Sequence, residues 1–338
     1  MSLSPARRPP DADAGSNPAG VRVRLYDADG EDRELSLEEV DLAELDDSGL
    51  LWIDVSDLEQ VERVAATLGL TPGTTAVIAP VPPRADVAFH STYVHITVVV
   101  ARRTALSFEP TVLHCLAGEN WVVTVHETPL DFLEQFSERI RGDSGLGRLN
   151  AAGLVAVFLN EHVASYLREV EPLEVELESL DLRTMTGRTT DDAVLHQLIS
   201  VRRRLVQLRR LLAPHRVLYG RLSQPDFALL TDSDSPEAFA SLAERSEQAL
   251  QALDTTREMI LNSFDIYTTW TAHETNKVMR LLTVASVTLL PPTLLASVMG
   301  MNSLPQALVS GQAFDVTLSV MLVLTGTVLG LARRRRWI

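Results

Sequence analysis

Two long apolar runs near the C-terminal end dominate the pattern of hydrophobic and polar positions along this chain of 338 residues. No residue in 281–314 carries a charge, and a second apolar run covers 316–332. Each run reaches or comes close to the roughly 20 helical residues that cross about 30 Å of hydrocarbon. A buried helical hairpin in a large soluble core is the alternative. Two membrane spans are favoured because Lys277 and Arg280 precede the first run and four arginines follow the second.

The charges around the two runs also predict their orientation. Residues 301–313, which connect the runs, carry no charge. By the positive-inside rule, both ends of the hairpin face the cytoplasm and the connecting loop faces outward across the cell (inner) membrane. We therefore predict an external loop at 300–313, a second span (TM2) at 314–333 and a basic cytoplasmic tail at 334–338, with both termini cytoplasmic.

Upstream of the spans, residues 21–130 predict a small cytosolic α/β domain. Residues 1–20 are rich in Pro, Ala, Asp and Ser and contain no apolar segment, so we expect a disordered tail and not a signal peptide. The predicted elements are strands at 21–25, 50–55 and 93–101, a helix at 58–68, and a hairpin from 111–116 to 121–125 that turns at 117–120.

The pattern becomes helical after Leu130, and residues 131–234 are predicted to form a cytosolic helical region. Two long helices at 151–182 and 191–219 would be an antiparallel pair joined at 186–188. The first carries seven acids between Glu161 and Asp181, and the second carries six arginines. We expect mutual ion pairs on solvated faces. The alternative is an acidic surface that collects cations.

Residues 235–299 are predicted to form one helix that starts in the cytosol and includes the first membrane span (TM1). Ser235 is a suitable N-cap and Pro236 a suitable first residue. About 63 helical residues would be about 95 Å long, a length that suits a stalk entering a membrane. The predicted fold class is an α+β membrane protein, with an N-terminal cytosolic α/β domain, a long helical stalk continuing into TM1, and a C-terminal two-helix transmembrane hairpin.

Charge and composition narrow the function classes. Lys277 and five arginines, less Asp315, give residues 276–338 a charge of +5, so residues 1–275 carry −20 of the total of −15. An acidic cytosolic body does not suggest nucleic-acid binding and would attract cations. The single cysteine, Cys115, excludes an intramolecular disulfide, and we expect it in the core. The sequence shows no nucleophile–base spacing, phosphate loop or His/Cys cluster, so we predict that the chain is not an enzyme.

Small polar side chains recur along one face of the first span, at steps of seven, three, seven and four residues, which form one stripe of a supercoiled helix. The stripe consists of Asn276, Thr283, Ser286, Thr293 and Ser297. Two spans per chain cannot enclose an ion path, so a pore would need an oligomer with this stripe facing its axis. Close helix packing also selects small residues and is the alternative; it is the preferred interpretation for Gly326 and Gly330 in the second span.

The first span ends at Gly300-Met301-Asn302. Glycine takes the left-handed conformation that caps helices, so this motif predicts a helix stop. Together with residues 275–283 and with Arg333–Trp337, it resembles the CorA family of magnesium channels. The resemblance is strong over the C-terminal quarter and architectural upstream. It implies a homo-oligomer, a pentamer in the lipid bilayer, that carries magnesium and also cobalt or nickel and holds no permanently bound cofactor.

The resemblance also implies roles for individual residues. Asn302 would be the selectivity residue, because a ring of amide oxygens holds hydrated magnesium through its waters. Bulky apolar rings would gate the pore by dewetting. The further positions that match pore-lining places of the family are Asn276, Thr293, Met279, Leu282 and Leu290.

Asp265 matches a family position for a regulatory divalent-cation site. Its usual partner is an acidic pair, and residues 71–78, which occupy that place, contain no carboxylate, so we expect a weak site. The other departures from the family are Met299 in place of tyrosine, a loop at 303–306 without glutamate, and Pro291-Pro292. Two alternative functions stay open at this point: a zinc transporter of the related branch, and a membrane-anchored scaffold without transport.

Overall fold

The computed structural model describes residues 17–28, 32–42, 45, 49–78, 83–140, 149–186, 191–224, 235–300 and 311–334. Residues 1–16, 301–310 and 335–338 lie outside this part of the chain, so the predictions of a disordered tail, an external loop and a basic tail stay predictions there. Contacts divide the chain into two compact units. The first contains the described residues up to Ser179 and those of His196–Leu261, and the second contains the rest.

The first unit is built on a seven-stranded sheet with the order β2-β1-β3-β7-β6-β5-β4. The strands are β1 (Val21–Asp27), β2 (Arg33–Glu34), β3 (Gly49–Val55), β4 (Asp86–Phe89), β5 (Val94–Arg103), β6 (Phe108–Ala117) and β7 (Trp121–His126). The central neighbours β3 and β7 are parallel, and the other neighbours are antiparallel. All predicted strands are confirmed. The short strands β2 and β4 are additional, because two and four residues are too few to show a period.

Helices cover both faces of this sheet. They are α1 (Val61–Leu68), α2 (Pro72–Ile78), α3 (Asp131–Arg139), α4 (Ala151–Thr186), α5 (Asp191–Leu212) and α6 (His215–Leu222). On one face, Ile78 of α2 packs in a buried cluster with Ile53. On the other face, the Trp52 ring lies 5.8 Å from Phe136 of α3 and 5.1 Å from Phe158 of α4, between ring centroids. Ile53 and Trp52 point to opposite faces because side chains alternate along a strand.

Two long helices follow. Helix α7 (Ser235–Met299) has 65 residues and continues from the first unit into the second, and α8 (Gly311–Arg334) has 24 residues. At 1.5 Å per residue, α7 is about 97 Å long. Both contain segments that are long and apolar enough to cross a membrane. The predicted continuous stalk and the two-helix hairpin are therefore confirmed as helices.

The helix predicted at 191–219 is wrong at one point, because it is two helices. Helix α5 ends at Leu212 and α6 begins at His215. Pro214 has no N–H to continue the helical hydrogen bonds, and its ring crowds the preceding turn. The break brings His215 to the sheet, where the Val99 N–H donates to its Nε2 over 2.9 Å.

The predicted pairing between acids of α4 and arginines of α5 is confirmed, among the described side chains, at Arg204 and Glu176. Arg209 of α5 binds Asp254 of α7 instead, over 2.7 Å. Helices α4, α5 and α7 pack side by side in this unit, so the arginines reach acids on two different helices. Sequence spacing alone does not show which of the two is nearer.

Candidate functional site

The second half of α7 carries the candidate site. All eight predicted pore-lining positions are exposed in the structure. They are Asn276, Met279, Leu282, Thr283, Ser286, Leu290, Thr293 and Ser297. With 3.6 residues per turn, these positions lie on a single face of the helix. Large apolar side chains belong to this face, and Leu290 is 65% exposed.

The opposite face of α7 is the covered one. Val284 is only 5% exposed, and the partly buried positions that follow it are Thr288, Pro291, Pro292, Leu295 and Met299. At about 100° per residue, these positions lie roughly half a turn away from the predicted stripe. The Thr317 hydroxyl of α8 lies 4.0 Å from the Met299 sulfur. Helix α8 therefore approaches the covered face, and the stripe points away from the α8 of its own chain.

Two threonine hydroxyls of the stripe have a defined orientation. Thr283 donates to the Met279 carbonyl over 2.8 Å, and Thr293 donates to the Leu289 carbonyl over 2.6 Å. A hydroxyl has one proton and two lone pairs. Because the proton is held by the helix backbone, each oxygen presents lone pairs outward and acts as an acceptor. The stripe thus offers acceptors for the protons of water.

The end of α7 agrees with the predicted helix stop, but by a different geometry. The helix ends at Met299, and the Gly300 N–H donates to the Ala296 carbonyl over 3.0 Å. Gly300 does not use the positive φ that glycine allows. The bond to Ala296 has the spacing of an ordinary helical hydrogen bond, so the backbone is still helical at Gly300, where the motif begins. Met301 and Asn302, the rest of the motif, lie outside the described residues.

Pro291 and Pro292 lie inside α7 without ending it. Neither has an N–H, so the carbonyls of Val287 and Thr288 lose their usual helical donors. Both prolines are partly buried on the face that α8 approaches. The predicted stripe on the other face is therefore continuous past them.

The predicted regulatory position, Asp265, is an exposed residue of α7 in the second unit. Within the described ranges, no three His, Cys, Asp or Glu side chains are placed to hold a metal ion together. The segment at 71–78, in the first unit, carries hydroxyls in place of the family's acids. Thr71 and Thr74 lie 3.0 and 2.6 Å from the Tyr93 hydroxyl oxygen.

The structure groups histidines that are scattered in the sequence. His95 Nε2 lies 3.0 Å from His114 Nδ1, and the rings of His162 and His215 are 4.7 Å apart between centroids. Each ring comes from a different strand or helix, so sequence spacing carried no signal for either pair. Burial lowers the pKa of His95 and His162 to about 3. All four are at most 8% exposed, so we assign them to the core.

A buried carboxylate also lies within the sheet, on strand β3. Asp54, 3% exposed, accepts from Thr124 over 2.6 Å, from Arg22 over 2.8 Å and from His126 over 3.2 Å. Burial acts to raise the pKa of this carboxyl, but its interactions with His126, Thr124 and Arg22, in that order of size, outweigh burial and hold the pKa below its usual value. Trp52 donates to Thr124 over 3.0 Å. This network joins β1, β3 and β7, which explains a carboxylate in the core.

Comparison with known proteins covers most of the chain. The profile of the family described as CorA-like Mg²⁺ transporter protein matches residues 47–334. The cobalt/magnesium transport protein CorA of Thermotoga maritima is 25% identical over 303 residues, which are 87% of this chain and 85% of that protein. The protein of the same name from Methanocaldococcus jannaschii is 25% identical over 227 residues, or 65% of this chain and 69% of that one.

The fold is also similar to a solved structure. The complete structure of the CorA magnesium transporter from Methanocaldococcus jannaschii superposes with a TM-score of 0.78. The match covers 94% of this chain and 98% of that chain at 20% identity. At this identity the likeness shows the fold alone, including the long helix and the two apolar C-terminal helices.

Proposed function

The chain belongs to the CorA-like Mg²⁺ transporter family, a family of transporters and not enzymes, and we propose that its copies form a channel for hydrated divalent cations. Magnesium is the proposed principal ion, with cobalt or nickel as further cargo. The relatives named as cobalt/magnesium transport proteins support this choice. The proposed location of the protein is the cell membrane, with both termini in the cytoplasm.

One observation carries the pore proposal: the predicted stripe of α7 lies on the exposed face, away from the face that α8 approaches. Within the span, polar side chains such as Thr283, Thr293 and Ser297 would be unfavourable against lipid hydrocarbon. A ring of α7 helices, one from each copy, brings these side chains to a central water-filled axis and leaves α8 outside. We propose five copies, the number that the family resemblance implies.

The acceptor oxygens of the stripe suit a hydrated ion. Magnesium gives up its waters reluctantly, and those waters turn their protons outward. Thr283 and Thr293 direct lone pairs outward because their protons are bound to the helix backbone. Asn302, which follows the end of α7, would add a ring of amide oxygens at the outer mouth. Met279, Leu282 and Leu290 would form the apolar rings that stop conduction by dewetting.

Flux into liposomes by the purified full-length protein tests this proposal. We expect magnesium influx that Asn302→Ala abolishes or makes unselective, because the variant removes the amide ring without touching the stalk. Asn262→Ala, an exposed amide of α7 outside the stripe, is the matched control and should conduct normally.

Comparison of magnesium, cobalt, nickel and zinc in the same assay separates the alternatives. Zinc flux without magnesium flux would support a zinc transporter of the related branch. An oligomer that carries none of the four ions would support the scaffold.

A further inference from the structure

Helix α5 presents an apolar and basic surface to solvent. Ile199 and Val206, seven residues apart, are 44% and 52% exposed. Arg202, Arg203 and Arg210 are exposed on the same side of the helix, around this apolar pair. An apolar seam flanked by charges at helical spacing is the surface of a helix that packs against another helix. We call these five residues the α5 stripe.

Helix α4 presents a complementary surface. Val175 is 62% exposed, and Pro172, Glu171 and Glu178 are exposed around it. Glu171 and Glu178 lie on either side of Val175 at four and three residues, which places them on the same side of the helix. We call these four residues the α4 stripe. Both stripes belong to the first unit.

The charged side chains of the two stripes make no ion pair within the described part of their own chain. Charges between neighbouring helices are paired within the chain, as in Arg204–Glu176 and Arg209–Asp254. The arginines of the α5 stripe and the glutamates of the α4 stripe make no ion pair with any residue in the described ranges. Their surplus charges are opposite in sign, three positive on α5 and two negative on α4.

We propose that the α5 stripe of one copy packs against the α4 stripe of the next copy. This inference rests on the proposed oligomer and names a surface that holds it together outside the membrane. A symmetric contact of two α5 stripes would place arginines against arginines. A head-to-tail contact places them against glutamates and covers Val175 with Val206 or Ile199. Because every copy carries both stripes, the contact repeats from copy to copy, and in the proposed oligomer it closes into a ring.

Disulfide cross-linking of the full-length protein tests the contact and its direction. The native Cys115 is fully buried and does not compete. The variant with both Val175→Cys and Val206→Cys should form a ladder of covalent oligomers under mild oxidation. Neither single variant should form covalent dimers, and a mixture of the two single variants should stop at dimers. Leu106→Cys with Val206→Cys is the matched control, since Leu106 is 78% exposed on the β5–β6 hairpin, outside both stripes, and it should give no ladder.

Charge reversal provides the second measurement. In the two-cysteine background, Arg202→Glu with Arg203→Glu should lower the cross-linking rate at least about fivefold, since each lost pair contributes up to about 1 kcal/mol. Adding Glu171→Arg and Glu178→Arg to the same chain should restore most of the rate.

Magnesium flux of the same samples separates this inference from the channel proposal. An oligomer that conducts but forms no ladder would overturn the stripe contact and leave the channel intact. Covalent dimers from Val206→Cys alone would also overturn it, because they would show a symmetric contact. A monomer that carries no ion would overturn both proposals.

Discussion

His162 and His215 bind the carbonyl and the N–H, respectively, of a single residue of strand β5, Val99. His162 Nε2 donates to the Val99 carbonyl over 2.8 Å, and the Val99 N–H donates to His215 Nε2 over 2.9 Å. Strand β4 pairs with β5 only as far as Thr97. Beyond that point, helices α4 and α6 supply the partners that a neighbouring strand would supply. The two imidazoles therefore hold the helical layer to the sheet edge.

Replacing His215 with Phe should destabilise the first unit by about 1–3 kcal/mol, because the buried Val99 N–H loses its acceptor. Denaturant unfolding of the purified protein measures this loss. His215→Gln, whose amide oxygen is a new acceptor, should recover part of it. The exposed His273 of α7 is the control, and His273→Phe should change stability by less than about 0.5 kcal/mol. Equal effects at both positions would contradict the assigned role.

Acid should destabilise this fold well above pH 4. Burial lowers the pKa of His95 and His162 to about 3, and of His114 and His215 to about 4. Their unfolded pKa is about 6.5, so the unfolded chain binds protons first as pH falls. Stability is complete above pH 6.5 and falls between about pH 6.5 and 4, by roughly 1 kcal/mol per pH unit for each histidine.

Denaturant midpoints across this pH range check the prediction. His114→Gln should reduce the dependence of unfolding free energy on pH by roughly 1 kcal/mol per pH unit, the contribution of one histidine. A midpoint that stays constant from pH 7 to pH 4.5 would contradict the buried, neutral histidines. Asp54 adds little within this window, because its pKa lies below the ordinary value for Asp of about 3.9.

Two threonines of α7 form a matched pair for testing the pore face. Thr293 on the stripe and Thr288 on the covered face donate to backbone carbonyls over 2.6 and 2.7 Å. Thr293→Val should lower magnesium flux about fivefold, since losing an acceptor for the hydrated ion costs about 1 kcal/mol. Thr288→Val should leave flux within about twofold. A loss of flux in Thr288→Val but not in Thr293→Val would contradict the proposal that the stripe lines the pore.

Regulation by magnesium should be weak in this protein. Asp265 is exposed, and residues 71–78, where the family carries acids, present no carboxylate. One carboxylate per interface would hold a cation loosely. We expect internal magnesium to reduce flux only at concentrations well above those that suit a two-acid site. Asp265→Ala should shift the dose–response little, as should the control Glu258→Ala. A large loss of inhibition in Asp265→Ala alone would reveal partner acids.

The membrane orientation is testable with single cysteines. Gln306→Cys, in the loop predicted to be external, should react with an impermeant thiol reagent added to intact cells, whereas Ile338→Cys should not. The native thiol is a suitable background, because burial raises the pKa of Cys115 to about 12 and shields it from solvent. Labelling at position 338 from outside would overturn the predicted cytoplasmic C-terminus.

Local sequence pattern determined much of this fold. The two apolar helices, the 65-residue helix α7 and the strands β1, β3, β5, β6 and β7 were all predictable. Their periods of 3.6 and 2 residues follow from neighbouring positions alone. The helix stop before Gly300 was predictable for the same reason. Its backbone conformation was not, because Gly300 keeps a helical hydrogen bond to Ala296 and lacks the positive φ that glycine allows.

Only the tertiary structure decided which surfaces meet. The stripe of α7 was visible in the sequence, but its separation from the covered face depends on where α8 packs. The split of α5 from α6 at Pro214 is local, yet its consequence is the contact of His215 with Val99, 116 residues away. Likewise, Arg209 binds Asp254 of α7 and not an acid of α4. Such contacts join residues that are distant in the chain. The periodicity of a segment shows which face of one helix is apolar, but it does not show which other helix packs against that face.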